Sequence, residues 1–89
     1  MKVEYLPSFI KDLKAMKSTP SYAAVRKIAF EEIPHISKLQ DVNGVKKLKS
    51  FDCAYRLRVG NYRRGFFFEN ETVTFARVLH RSKIYKLFP

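Results

Sequence analysis

The chain has 89 residues, 46% of them hydrophobic, with 18 Lys plus Arg against 8 Asp plus Glu for a formal charge of +10. A chain of this size buries only about 60–70% of its unfolded surface, which excludes a second core, while eight Phe and five Tyr exclude a disordered basic tail. Self-repulsion on this scale makes sense mainly against an anionic partner, with nucleic acid first among them.

Residues 2–6 are β-prone. Pro7-Ser8 then opens a segment whose apolar positions Phe9, Ile10, Leu13 and Met16 recur at helical spacing. The turn formers Ser18-Thr19-Pro20-Ser21 end this first helix. Tyr22, Val25, Ile28, Ala29 and Ile33 trace a second helical stripe, with Arg26, Lys27, Glu31 and Glu32 toward its polar side. Pro34 stops or kinks it, having no N–H to donate, and a polar connector runs to Gly44. From there the period changes. Residues 45–49 make a short strand, and Tyr55-Arg56-Leu57-Arg58-Val59 alternates apolar with basic. Gly60-Asn61 is a two-residue hairpin turn into a strand over 62–69. Asn70-Glu71 turns that strand into another over 72–79, and Ser82 is the expected cap of a short final helix over 83–88. The order β-α-α-β-β-β-β-α predicts a single α+β domain spanning residues 1–89. Its antiparallel sheet carries two helices on one face, with a short C-terminal helix besides.

The charge sits mostly in the sheet. Residues 1–45 hold seven basic and five acidic side chains, a balance of +2; residues 46–89 hold eleven and three, a balance of +8. Successive strand residues face opposite sides, so Tyr55, Leu57 and Val59 face the helices while Arg56 and Arg58 point away. Arg63, beyond the hairpin, joins them. Three guanidiniums on an uncovered sheet face suit a phosphodiester backbone, because each is a planar fork of donors. Lys46, Lys47 and Lys49 extend the phosphate-contacting surface. Phe66 and Phe68 share the parity of Tyr62 and belong to the core, whereas Phe67 has the parity of Arg63 and is expected to line the site. Arg64 is the misfit: its parity aims it at the helices, which calls for a place at the sheet edge with the head snorkelling outward, or for another register.

Other chemistries find little support. The single cysteine, Cys53, cannot close an intramolecular disulfide and reads as a small buried filler. Glu4 and Pro7 interrupt the region where a secretory signal needs an apolar run, and no stretch approaches the length that spans a bilayer. A cytoplasmic protein without a membrane partner is expected. His35, His80 and Cys53 show no metal-ligand spacing, so no metal is predicted. His35 reads as an exposed connector residue. Gly44, Gly60 and Gly65 are isolated and form no phosphate loop, and no small-molecule cofactor is predicted.

The residues Lys46-Lys47-Leu48-Lys49, then Tyr55 through Arg63 (YRLRVGNYR), and finally Arg77 through Tyr85 (RVLHRSKIY) carry a resemblance. In element order over the whole chain they resemble the RelE/ParE superfamily of toxins from type II toxin–antitoxin systems, on its RelE-like side. The resemblance implies a ribosome-dependent endoribonuclease that cuts messenger RNA in the decoding site and is silenced by a cognate antitoxin. By motif, the family's functional positions fall on Arg56, Arg58, Arg63, Arg81 and Tyr85. Arginines stand at 56 and 58 where RelE carries lysines. Arg stays protonated, so these two hold phosphate and accept no proton.

Metal-free RNA cleavage needs a 2′-OH deprotonated and aligned on phosphorus, charge stabilised on the phosphorane oxygens, and a proton delivered to the departing 5′-oxygen. Arg63 with Arg56 or Arg58 fits the second task. Proton transfer is open to His80, Tyr85, or a lysine from Lys46, Lys47 or Lys49. Tyr85 is equally suited to stacking on an unpaired base, and Arg81 to the leaving-group phosphate. The exposed basic face invites an acidic or amphipathic antitoxin segment. Two rival readings share these residues: a ParE-like toxin that binds DNA gyrase without hydrolysis, and a plain RNA-binding or ribosome-associated protein.

Overall fold

The computed structural model describes residues 1–89, apart from the side chain of Gln40. Its elements are β1 (Lys2–Tyr5), α1 (Pro7–Ala15), α2 (Tyr22–Lys27), β2 (Val45–Lys47), β3 (Ala54–Val59), β4 (Tyr62–Glu69), β5 (Thr72–His80) and α3 (Arg81–Leu87). Pro7 sits in the first turn of α1, where its missing N–H has no partner to lose. Phe9, Leu13 and Met16 bury one face of that helix. The second predicted helix is not uniform. After α2 it widens into a π-helical turn, Ile28–Glu32, and then tightens into a 3₁₀ turn, Ile33–His35. Pro34 removes the donor that an α-helical ladder would need there.

The five strands are ordered β1-β5-β4-β3-β2. β2 through β5 form the antiparallel meander, and β1 lies parallel along β5, with Lys2 beside Thr72 and Tyr5 beside Phe75. The parallel pair follows from connectivity: the chain leaves β1, builds both helices across one face, and returns by way of β2 at the far edge. Two-residue turns close the β3–β4 and β4–β5 hairpins. Gly60 (φ +59°), Asn70 (+53°) and Glu71 (+59°) supply the left-handed backbone that tight hairpins need.

β5 contains one extra residue. Gly65 pairs with Arg77 but the next residue, Phe66, pairs with Phe75, so Ala76 is a bulge. α1 clamps it. The Ser8 hydroxyl donates to the Ala76 carbonyl (2.6 Å), and one helical turn later the Asp12 carboxylate accepts from Arg77 Nε (2.6 Å), Arg77 Nη2 (3.1 Å) and the Val78 N–H (3.2 Å). The bulge reverses the facing of the strand beyond it. Val73, Phe75 and Val78 enter the main core beneath α1 and α2, while Ala76 joins a second, smaller cluster on the opposite face with Ala54, Ile84 and Phe88.

Arg64 keeps its predicted register but not its predicted edge position. β4 is the central strand, and Arg64, between Leu57 and Val78, is fully buried beneath the helices. Its guanidinium lies 5.1 Å from the centre of the Phe75 ring, and Nε, Nη1 and Nη2 have no hydrogen-bond partner. Desolvation pushes its pKa down to about 9, against the opposing pull of Glu32 and Tyr5. The Tyr5 hydroxyl, which donates to the Ala29 carbonyl (2.7 Å), is in turn raised by burial and lowered by Arg64.

Because folding weakens proton binding at Arg64, the folded chain holds fewer protons than the unfolded one between about pH 9 and the ordinary arginine value, and stability rises with pH in that window. Below it the full desolvation cost applies. Arg64→Met keeps the stem's volume and removes the charge, and should raise the unfolding free energy at pH 7 by about 1–4 kcal/mol. Urea titrations at pH 7 and pH 10 should show that gain shrinking at the higher pH. Asp12→Ala strips both the bulge and Arg77 of their acceptor and should lower stability by about 1–3 kcal/mol in the same assay.

Candidate nucleic-acid interface

On the face opposite α1 and α2, β2, β3 and β4 set basic residues directly across from one another. Lys46 pairs with Arg56, and Arg58 with Arg63. Like charges at such positions destabilise a sheet, and among the described residues no carboxylate relieves them: the ion pairs are Lys2–Glu4 and Arg77–Asp12, both elsewhere. Lys46, Arg56, Arg58, Arg63 and Tyr85 line one cavity of about 340 Å³, together with Gly44 and Val45.

Each arginine is held differently. Arg63 Nη1 donates to the carbonyls of Gly60 and Tyr62, both at 3.0 Å, so its head is tied to the hairpin. Arg56 places its guanidinium 4.4 Å from the Tyr85 ring centre, while its Nε is buried without a partner. The Arg58 N–H donates to the Gly44 carbonyl (3.1 Å). Gly44 has φ +85°, and a Cβ there would stand 3.3 Å from the Arg58 carbonyl oxygen, so the close approach of this loop to β3 requires glycine.

Tyr85 reaches the cavity because α3 lies across the outer face. The N-cap of α3 is His80, two residues before the predicted cap Ser82, and its Nδ1 accepts the Ser82 N–H (3.2 Å). Ile84 and Phe88 then pack on Ala54 and Ala76, and the Phe88 ring centre lies 5.2 Å from that of Phe67. A Cβ on Gly65 would come within 2.4 Å of the Phe88 ring. Gly65 is therefore the notch in β4 that admits the end of α3. The outer face is half covered, and the cavity opens beside the covering helix.

The structure thus brings together Lys46, Arg56, Arg58, Arg63 and Tyr85. Lys49 lines an adjoining cavity of about 370 Å³ that shares Arg56 and Tyr85 as walls. Arg81 is exposed in the first turn of α3, four residues before Tyr85 and hence on the same helical face. Lys47 is turned to the other side of the sheet, in a groove with Leu39, Tyr55 and Phe68. His80 is also on that other side, edge-on to Tyr62 at 5.6 Å and beside Asp12 and Lys83, away from the guanidiniums. The Ala76 bulge is the physical reason, since it shifts His80 from the outer to the inner facing. Phe67 packs against Phe88 and does not line the cavity. Cys53 is half-buried. Sequence reasoning missed Gly44, Gly65 and Phe88; Asn43-Gly44 carries a turn signal, whereas nothing local marks the Gly65–Phe88 contact. Among the described residues no three His, Cys, Asp or Glu side chains cluster as metal ligands, and no helix is long and apolar enough to cross a membrane.

The meander with its crossing helix is a fold this chain shares with solved toxin–antitoxin proteins. The chain is 42% identical over 91 aligned positions, spanning the whole of both proteins, to Toxin RelE3 of Methanocaldococcus jannaschii. It superimposes on the toxin–antitoxin RelB–RelE complex of Methanococcus jannaschii with a TM-score of 0.75 and 38% identity, covering 97% of this chain and 99% of that one. The RelBE2 toxin–antitoxin complex of Mycobacterium tuberculosis follows at TM-score 0.65 and 27% identity, over 90% and 96% of the two chains. YafQ of E. coli, at 16% identity and TM-score 0.66 over 94% and 97%, shares the fold. No family model matches the sequence. The chain belongs to the RelE family of toxins.

Gly65→Ala should lift Phe88 off the sheet. Loss of the nuclear Overhauser contacts between the Phe88 ring and the Ala54 and Ala76 methyls, with a stability decrease of about 1–3 kcal/mol, is the expected result.

Proposed function

We propose that this toxin is a ribosome-dependent endoribonuclease that cuts messenger RNA without a metal, and that a cognate antitoxin silences it. The observation that carries the reading is the set of unneutralised, directly opposed cations around the Arg56–Arg58–Arg63 cavity. A phosphodiester relieves their repulsion, and a phosphorane, with one more negative charge, relieves it further, which is the differential binding that catalysis needs. Arg63, tied to the hairpin carbonyls, is pre-aimed for that charge. Arginines remain protonated, so proton transfer at the 2′-OH and the departing 5′-oxygen falls to Tyr85 and Lys46, the proton-carrying groups on the cavity wall. Arg81, on the Tyr85 face of α3, approaches the leaving-group phosphate. The expected ends are a 2′,3′-cyclic phosphate and a 5′-hydroxyl. Relatives solved as toxin–antitoxin complexes support the antitoxin as partner, and the same uncovered cations would attract an acidic segment of it.

Messenger cleavage mapped by primer extension in a reconstituted translation reaction tests this. Wild-type protein should cut only in the presence of ribosomes. Arg63→Ala should reduce the rate by about 10²–10³, the cost of removing one preorganised donor to a developing oxyanion, and Arg81→Ala should also slow it. No cleavage by folded wild-type protein, together with gyrase-dependent DNA breaks, would instead place it with the ParE-like inhibitors.

A further inference from the structure

His80 lies away from the guanidiniums, yet α3, which carries Arg81 and Tyr85 toward them, begins on its side chain. A backbone N–H can only donate, so the 3.2 Å bond from the Ser82 N–H makes Nδ1 the acceptor and leaves the single ring proton on Nε2. The Ser82 hydroxyl lies 2.9 Å from the same Nδ1. Tyr62 steadies the ring from the sheet side, edge-on at 5.6 Å.

α3 has seven residues, too few to be stable alone, and its cap is an unusual one. Ser, Thr, Asp and Asn, the common caps, offer an oxygen that remains an acceptor through neutral pH. An imidazole offers one lone pair and loses it on protonation. The Ser82 hydroxyl can then accept from the new Nδ1–H, but the Ser82 N–H is left without a partner. The added charge also falls at the positive end of the helix, whose first turn already holds Arg81 and Lys83 and no acid. The polar groups facing His80 around its cavity are Asp12 from α1, Tyr62 from β4 and Lys83 from α3 itself. Asp12 is the anion among them, and both its oxygens are engaged by Arg77 and the Val78 N–H. Once the cap is lost, the start of α3 keeps the Arg81 N–H bond to the Asn61 carbonyl (2.9 Å). Four residues further on stands the Tyr85 ring, 4.4 Å from the Arg56 guanidinium.

We infer that His80 is a positioning residue of the guanidinium site: with Nδ1 bare it caps α3 and so holds Tyr85 against Arg56, and protonation of the ring loosens that hold. The imidazole is half-buried and stands on a water-accessible cavity, so protons reach it without unfolding the sheet. The closed helix requires the neutral ring, hence binds fewer protons at His80 than the open one, and its closure strengthens as pH rises through the range in which histidines change charge, about pH 5 to 8. The effect on cleavage rests on the RNA-cleaving reading of the site; the hold on Tyr85 does not.

The test compares the intact wild type with His80→Ala, which cannot cap, and His80→Asn, which caps but does not titrate. Nuclear magnetic resonance reads two quantities: the exchange protection of the Phe88 N–H, whose acceptor is the Ile84 carbonyl (3.0 Å), and the ring-current shift that Tyr85 imposes on the Arg56 side chain. Between pH 8 and pH 5 the wild type should lose about 2- to 30-fold in that protection, the range for one lost cap, and part of the ring-current shift, while β4 amides keep theirs. His80→Ala should show the low values at both pH values and His80→Asn the high ones. In the translation reaction at pH 7.5, His80→Ala should cut more slowly and His80→Asn at the wild-type rate. Equal protection in all three proteins, or His80→Asn matching His80→Ala, overturns the inference. Full protection with lost cleavage in His80→Asn also overturns it, since the imidazole would then act in the chemistry itself. A wild type that shows the protection pattern but cuts no messenger keeps His80 as the holder of Tyr85 and overturns the RNA-cleaving reading instead.

Discussion

The bulge at Ala76, clamped by Ser8 and Asp12 of α1, is the constraint on which the basic outer face depends. One inserted residue in β5 reverses the facing of everything after it. Val78 is returned to the main core, Leu79 is sent outward beside Ala54 and Ala76, and the chain leaves the sheet at His80 on the side from which α3 can fold across the outer face. A bulge leaves backbone groups out of the ladder, and such groups are costly when buried without partners. Here a hydroxyl and a carboxylate one helical turn apart satisfy them. α1 therefore does more than cover the core: it holds the device that decides where Tyr85 ends up.

The outer face is consequently built from two unlike halves. One is a small apolar patch of Ala54, Ala76, Ile84 and Phe88, which Gly65 makes possible by lacking a side chain. The other is a set of cations with no carboxylate among them. The patch orients α3, and α3 brings an aromatic ring over Arg56. Packing on one half thus fixes the geometry of the charged half, which could not fix itself, because its members repel one another.

The alternation on β3 and β4 is regular, so the facing of Tyr55, Leu57 and Val59 against Arg56 and Arg58, and of Arg63 against Arg64, can be read from the residues alone. It fails where facing depends on distant partners. The β5 bulge is set by Ser8 and Asp12, more than sixty residues away, and a strand read without it sends His80 outward to the arginines. β2 has three residues, too few for a pattern to fix its phase, so only pairing with β3 separates Lys46, which faces the cavity, from Lys47, which does not. Arg64 shows the opposite failure. Its parity is plain, but a general reluctance to bury charge argues for the edge, and the fold instead places it at the centre of the sheet with Phe75 against its guanidinium.

Arg63 and Arg64 are neighbours in sequence and opposites in physics. Arg64 bears a desolvation cost that no external partner can relieve, because it is sealed inside. Arg63, with Arg58 across from it, bears a repulsion that an anion can relieve from outside, because the cavity is open. Any phosphate-bearing ligand that fills the cavity binds the folded chain and not the unfolded one, and so stabilises the fold in proportion to the repulsion it removes. Under the proposed function the same side chains lower the stability of the free protein and raise its affinity for polyanions, so neutralising Arg58 or Arg63 should move the two quantities in opposite directions.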